Sequence, residues 1–261
     1  MKRGKPAELG SYPRKGFWSL IVTQFQGAFN DNLFQYLIIY YLLFEYSRRP
    51  DGGVVHIGMW TWMPEVYVQA LATLLFSLPF ILFAGVFGAL SDRFSKGRVA
   101  FMTKVLEVGI MVAGGLAFWW GAPVLLLVIL FLMATQSAMF GPSKYGILPE
   151  MLPESRLSWG NGIIQMGTIV AIIAGTGLAG PVFEFLKVSW NGQFYMASFL
   201  LVLLSLLGMV TGYFITRPPA ANPRQTISPN PITQWKSLMP YLKVIWYDRV
   251  LFQVVVGYTY F

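Results

Sequence analysis

The run FWSLIVTQFQGAFNDNLFQYLIIYYLLF, from Phe17 to Phe44, decides how this chain is read. A helix needs about 20 mostly apolar residues to cross a bilayer core. This run exceeds that length, yet it carries a carboxylate, Asp31, near its middle. Lys2, Arg3, Lys5, Arg14 and Lys15 precede it, as basic residues precede a secretory leader. A leader core spans only about 7–15 apolar residues and ends at a small-residue cleavage site. The run is too long and no such site follows it, so it reads as a retained first transmembrane helix.

Working outward, the whole chain has the composition of a membrane protein. Of 261 residues, 56% are hydrophobic and 11% charged, against about 25% charged in soluble domains. Mean hydropathy is +0.57. There is no cysteine, so disulfides and thiolate chemistry are excluded, and the single histidine, His56, excludes a histidine metal cluster. Val66–Ser91, Leu157–Phe183 and Val188–Thr216 contain no charge. Val108–Ser143 is charge-free as well, but too long for one span, and its Trp119-Trp120-Gly121-Ala122-Pro123 reads as interfacial aromatics and a turn. Six spans follow, at about 17–44, 66–90, 98–119, 123–141, 159–184 and 191–215.

Charge placement orients them. Sixteen of the nineteen Lys and Arg residues fall on the side of the N-terminus, and three (Arg48, Arg49 and Lys187) on the other. The positive-inside rule puts the N-terminus and the segment after span six in the cytoplasm. The net charge of +8 is thus a matter of membrane orientation, not of nucleic-acid binding. Residues 217–249 form a proline-rich cytoplasmic linker. Within it Trp235, Leu238, Leu242 and Ile245 share a helical face, with Lys236 and Lys243 off it and Pro240 as a potential break. A surface amphipathic helix and an ordinary packed helix fit that pattern equally well. Residues 250–261 are apolar but too short to span, and read as the start of a seventh helix in a longer transporter.

Span one is the most informative. Gln24, Asp31 and Gln35 are spaced by seven and four, which puts them on one side of the helix, with Asn30 and Asn32 flanking the carboxylate. A charge at the bilayer centre costs a few kcal/mol even on the lenient insertion scale, so Asp31 is expected to face a pathway or a partner rather than lipid. In span five, Asn161, Gln165 and Thr168 share a face, among Gly167, Gly175, Gly177, Gly180 and Pro181. Plain helix packing explains the glycines as well as a functional motif does. Lys104 and Glu107, one turn apart in span three, read as an exposed ion pair at the membrane rim with Lys104 snorkelling. His56 reads as a solvated residue of the outer loop, with Trp60 and Trp62 as interfacial anchors.

The loop from Gly88 to Val99, with Asp92, Arg93, Lys96 and Arg98, resembles motif A of the major facilitator superfamily, although Ser95 and Gly97 depart from it. Its Asp92 is suited to cap the next helix or to pair with a neighbouring cation. Four blocks then resemble the bacterial lysophospholipid transporters of that superfamily: TQFQGAFNDN (Thr23–Asn32), SDRFSKGRV (Ser91–Val99), FGPSKYGILPE (Phe140–Glu150) and GNGIIQMGTIVAIIAG (Gly160–Gly175). The third is the most distinctive.

The resemblance implies an all-α, polytopic fold: residues 1–216 as the N-terminal six-helix bundle of a twelve-helix transporter, with inverted three-helix repeats. It implies a lysophospholipid substrate, such as lysophosphatidylethanolamine, moved across the bacterial cytoplasmic membrane for reacylation. The partners it implies are membrane lipids, the C-terminal bundle of the same chain and, as in some relatives, a fused acyltransferase. No cofactor is implied. Asp31 is expected to hold the ammonium group, with Gln24, Asn32 and Gln35 as neighbours. Lys144 is expected to attract phosphate or close a cytoplasmic gate, and Asn161 and Gln165 to line the cavity. Two other readings remain: a proton-coupled transporter of a small polar solute, and a membrane anchor for an acyltransferase. No acyltransferase signature is present, since His-x-x-x-x-Asp from His56 would need an aspartate where Thr61 stands. A phosphate-cradling G-x-x-x-x-G-K-[ST] is also missing.

Overall fold

The computed structural model describes residues 14–47, 65–225, 227, 239–240 and 243–253. His56, Trp60, Trp62, Arg48, Arg49, the first three basic residues, residues 234–238 and 241–242 of the 234–249 segment, with Trp235, Lys236, Leu238 and Leu242 among them, and most of the expected seventh span lie outside them.

No strand occurs among the described residues. The helices are α1 (Arg14–Ser47), α2 (Glu65–Leu82), α3 (Ala84–Arg93), α4 (Lys96–Trp119), α5 (Pro123–Met151), α6 (Glu154–Ser189) and α7 (Ala197–Tyr213), the last preceded by a 3-10 turn, Phe194–Met196. By length and composition α4, α5, α6 and the 194–213 segment can each cross a membrane, and α2 with α3 makes a fifth, broken span. At 34 residues α1 is long enough for a sixth, and its polar residues turn inward. Ile173, Phe199 and Leu203, each about two-thirds exposed, belong to the apolar outer surface that lipid covers.

Two boundaries differ from those expected. The second span bends by 50° between α2 and α3. The break is at Phe83 (φ −105°, ψ 3°), one turn after Pro79, whose ring has already removed one hydrogen bond from the helix. The fourth span does not stop before Pro142: α5 continues to Met151 through both Pro142 and Pro149. Burial of Ser143, Lys144, Ile147, Leu148 and Met151 holds this last part in helical form.

Packing partners repeat. The first span packs on α6, and the fourth (α5) packs correspondingly on α2 and α3. The first packs on α7 as the fourth packs on α4, and α4 with α7 completes the set. Exchanging spans one to three for spans four to six therefore maps the packing onto itself, as an internal three-helix repeat requires.

Side chains sort into three levels along the bundle. At the end holding the start of α1, Phe17, Leu20, Ala100, Phe140, Ile147, Leu148, Ile164 and Ile215 form one apolar cluster. At the other end a larger cluster includes Phe34, Tyr41, Phe118, Leu130, Phe183 and Phe194. Phe183 stacks on Phe194 with centroids 5.0 Å apart, and Tyr41 meets Phe118 edge-on at 5.2 Å. Between the two clusters lie the buried polar residues of α1, α4 and α5.

Close approach of α1 and α6 depends on Gly175. A Cβ there would lie 2.5 Å from the Phe29 carbonyl oxygen and 3.2 Å from Leu33 N, both rigid backbone, while Gly177 faces open space. Gly175→Ala is expected to destabilise the bundle by about 1–3 kcal/mol through overpacking. Gly177→Ala is expected to be neutral or stabilising by up to about 1 kcal/mol through helix propensity. Denaturation of the two variants in detergent compares them directly.

Candidate functional site: a polar layer inside the bundle

The polar layer forms because α1 carries polar residues on two adjacent faces. One face holds Gln24, Asp31 and Gln35, and all three are buried. Asp31 is 5% exposed. Its Oδ2 accepts a hydrogen bond from Ser137 Oγ of α5, and its Oδ1 has no partner among the described residues. Gln24 Nε2 donates to Thr168 Oγ1 of α6 at 2.9 Å. An ionised carboxylate accepts at several lone pairs, so an unpaired oxygen in an apolar bundle is an open position for a cationic donor. No group of three His, Cys, Asp or Glu residues suited to a metal ion occurs among the described residues.

The other expected residues distribute unevenly. Asn32 is half-buried and donates to Ala28 O of its own helix at 2.8 Å, so it serves the backbone. The span-five face divides: Thr168 reaches the layer, Gln165 accepts from Tyr145 Oη at 3.2 Å, and Asn161 is exposed. Lys144 is buried, with its ammonium 4.5 Å from the Tyr145 ring centroid. It follows Ser137 by seven residues, so it shares that face of α5 about 10 Å nearer the end where α1 begins.

The motif-like loop joins α3 to α4 at that same end. Lys96 is buried and bonds Glu150 at 2.5 Å, tying α4 to the end of α5. Asp92, Arg93 and Arg98 are exposed, and Gly88 faces open space. Asp92 does not cap α4: the cap position belongs to Ser95, and the Asp92 backbone carbonyl instead accepts from Asn222 N at 2.8 Å. The chain makes an extended step at Phe94 and Ser95, which carries Asp92 too far back to reach the first helical N–H groups.

The second polar face of α1 escaped the sequence reading. Thr23, Gln26 and Asn30, spaced by three and four, form a stripe beside the one containing Asp31. Gln26 Nε2 and Asn30 Nδ2 donate to Glu107 Oε1 at 2.9 and 3.1 Å. Lys104 Nζ donates to Glu107 Oε2 at 2.5 Å and to Gln26 Oε1 at 3.2 Å. Thr23 and Thr211 join hydroxyls at 2.8 Å, which brings in α7. This corrects the rim reading of Lys104 and Glu107, whose side chains are 2% and 1% exposed. They lie inside because α1 supplies amide partners for both, and because Gly27 leaves room for the lysine head, where any Cβ would collide with Nζ.

Comparison with known proteins agrees with the fold. The sequence pattern of the Major Facilitator Superfamily matches residues 20–261. Among curated proteins, the lysophospholipid transporter LplT of Salmonella heidelberg (strain SL476) and that of Salmonella schwarzengrund (strain CVM19633) are each 31% identical over 217 residues. Those alignments cover 81% of this chain and 46% of each relative, so the chain spans about half the length of the curated relatives it matches. Among solved structures, a mutant of the peptide transporter POT in complex with sulfate superposes with a TM-score of 0.60 at 21% identity, covering 98% of this chain and 48% of that one. At that identity the neighbour speaks for the fold alone. With the superfamily pattern running from the first span to Phe261, the chain belongs to the Major Facilitator Superfamily.

Proposed function

We propose that the protein is the N-terminal half of a secondary transporter that moves lysophospholipids across the cytoplasmic membrane by alternating access. The observation that carries this reading is Asp31, buried in the middle of the bundle, whose Oδ1 has no partner among the described residues. A lysophospholipid with an ethanolamine headgroup brings an ammonium donor suited to that oxygen. Its single acyl chain remains in lipid while the headgroup passes between bundles. The names of the LplT relatives support the substrate class. In this reading Asp31 holds the ammonium, Gln24, Asn32 and Gln35 surround it, and Lys144 meets phosphate nearer the cytoplasm, beside Gln165 and Asn161. The α3–α4 loop with Gly88, Asp92, Arg93, Lys96 and Arg98 takes part in gating on the cytoplasmic side. The concentration of basic residues at the end where α1 begins supports an N-terminus in the cytoplasm. The second bundle, and the acyltransferase fused in some relatives, are partners in the same proposal.

The test is uptake of labelled lysophosphatidylethanolamine by the full-length protein in proteoliposomes, beside an analogue with a glycerol headgroup. A preference of about tenfold or more for the ammonium-bearing lipid is expected, the worth of one hydrogen bond to a charged group. Equal uptake of the two, or collapse with the proton gradient and no lipid transfer, overturns it.

A further inference from the structure

Lys104 is the buried cation that threatens the function of Asp31. Its ammonium lies against Gly27 of α1, one turn before Asp31, and 5.6 Å from the Phe140 ring of α5, one turn from Ser137. Both helices therefore put the Lys104 head one turn, about 5–6 Å, from the Asp31–Ser137 contact. An ammonium so near an unpaired carboxylate oxygen in a low-dielectric interior is strongly drawn to it. In the structure it is turned the other way. Two of its three N–H donors go to Glu107 Oε2 and Gln26 Oε1. Glu107 is in turn anchored by Gln26 and Asn30, so the partner of Lys104 is held on the α1 face next to that of Asp31.

We propose that Glu107 is a positioning residue that captures the Lys104 ammonium and so keeps Asp31 open for a cationic headgroup. The proposal rests on the reading of Asp31 as the ammonium ligand. It assigns a specificity role to a pair that touches no substrate. Neutralising Glu107 without changing its shape points an amide N–H at the lysine, and two donors repel. The long lysine side chain then swings to Asp31 Oδ1 and occupies the place of the substrate's ammonium.

The test compares Glu107→Gln, Glu107→Asp and the double variant Lys104→Met/Glu107→Gln in the full-length protein, with labelled lysophosphatidylethanolamine as probe. Glu107→Gln is expected to raise the apparent KM for this lipid about tenfold or more, the worth of one charged hydrogen bond. Removing the lysine as well is expected to bring it back to within about threefold of the parent, since the competing ammonium is gone. Glu107→Asp keeps the charge and is expected to transport better than Glu107→Gln. A purely structural role predicts the reverse, because the shorter side chain loses the Gln26 and Asn30 contacts while glutamine keeps them. A double variant as impaired as Glu107→Gln, or Glu107→Asp worse than Glu107→Gln, overturns the proposal. A stability cycle separates its failure from that of the reading beneath it. If Lys104 moves to Asp31, Asp31→Asn lowers the unfolding temperature more in the Glu107→Gln background than in the parent, whatever the transported substrate is. Equal shifts in the two backgrounds overturn the capture itself.

Discussion

Asp31→Asn in the full-length protein is expected to lower uptake of lysophosphatidylethanolamine about 10- to 100-fold while leaving the bundle folded. The substitution is nearly isosteric, and the new amide oxygen can still accept the Ser137 hydroxyl. What it loses is the negative charge and the unpartnered Oδ1. A hydrogen bond to a charged group contributes about 1.5–3 kcal/mol, so transport at limiting substrate should fall about 10- to 100-fold. Unfolding in detergent should change by less than about 1 kcal/mol, because a buried carboxylate is itself costly and its removal offsets the loss of a charged acceptor. The glycerol-headgroup analogue is the control, since its weaker uptake should respond much less. Normal uptake by the variant would remove Asp31 from the mechanism.

Lys104→Met has the opposite signature, a large loss of stability. Lys104 and Glu107 bond at 2.5 Å with almost no exposure. Methionine matches the length of the lysine chain but leaves Glu107 as a buried anion near a second carboxylate. Breaking a buried pair by removing one partner costs about 3–5 kcal/mol, mostly because the remaining charge is uncompensated. Adding Glu107→Gln should recover most of that loss, since two neutral groups of similar shape replace the pair. Chemical denaturation of the single and double variants in detergent reads both numbers. A single variant as stable as its parent would mean that the pair holds α1 to α4 no better than apolar contact does.

The two results also separate two uses of charge in one layer. Asp31 has an acceptor left over, which is what a passing ligand needs. Glu107 has both oxygens engaged within the protein, which is what a fixed scaffold needs. Neighbouring polar faces of α1 thus differ in how fully the carboxylate at each is engaged, because they meet different helices.

By itself the sequence determined the membrane class and the all-helical fold, because charge-free runs near 20 residues have few other physical explanations. It also determined that Asp31 faces protein rather than lipid, since a lipid-facing charge is too costly. Helix ends were less legible. Continuation of α5 through Pro142 depends on residues such as Ile147 and Met151 being buried by other helices, which no local pattern states. Only the tertiary structure decided who meets whom. Ser137 of α5 carries no periodic signal, because it is the last of three consecutive polar residues, Thr135, Gln136 and Ser137, which point in different directions from the helix axis. Thr168 reached the layer while Asn161, on the same nominal face, did not, since two turns of helix carry a side chain about 10 Å along the bundle. Lys104 and Glu107 looked like a rim pair because spacing along one helix reports neighbours on that helix alone. Their burial was decided by Gln26 and Asn30, about 80 residues away in the chain, and by the space over Gly27. Sequence periodicity fixes which way a side chain points from its own helix axis. What it finds there depends on the helices that pack alongside.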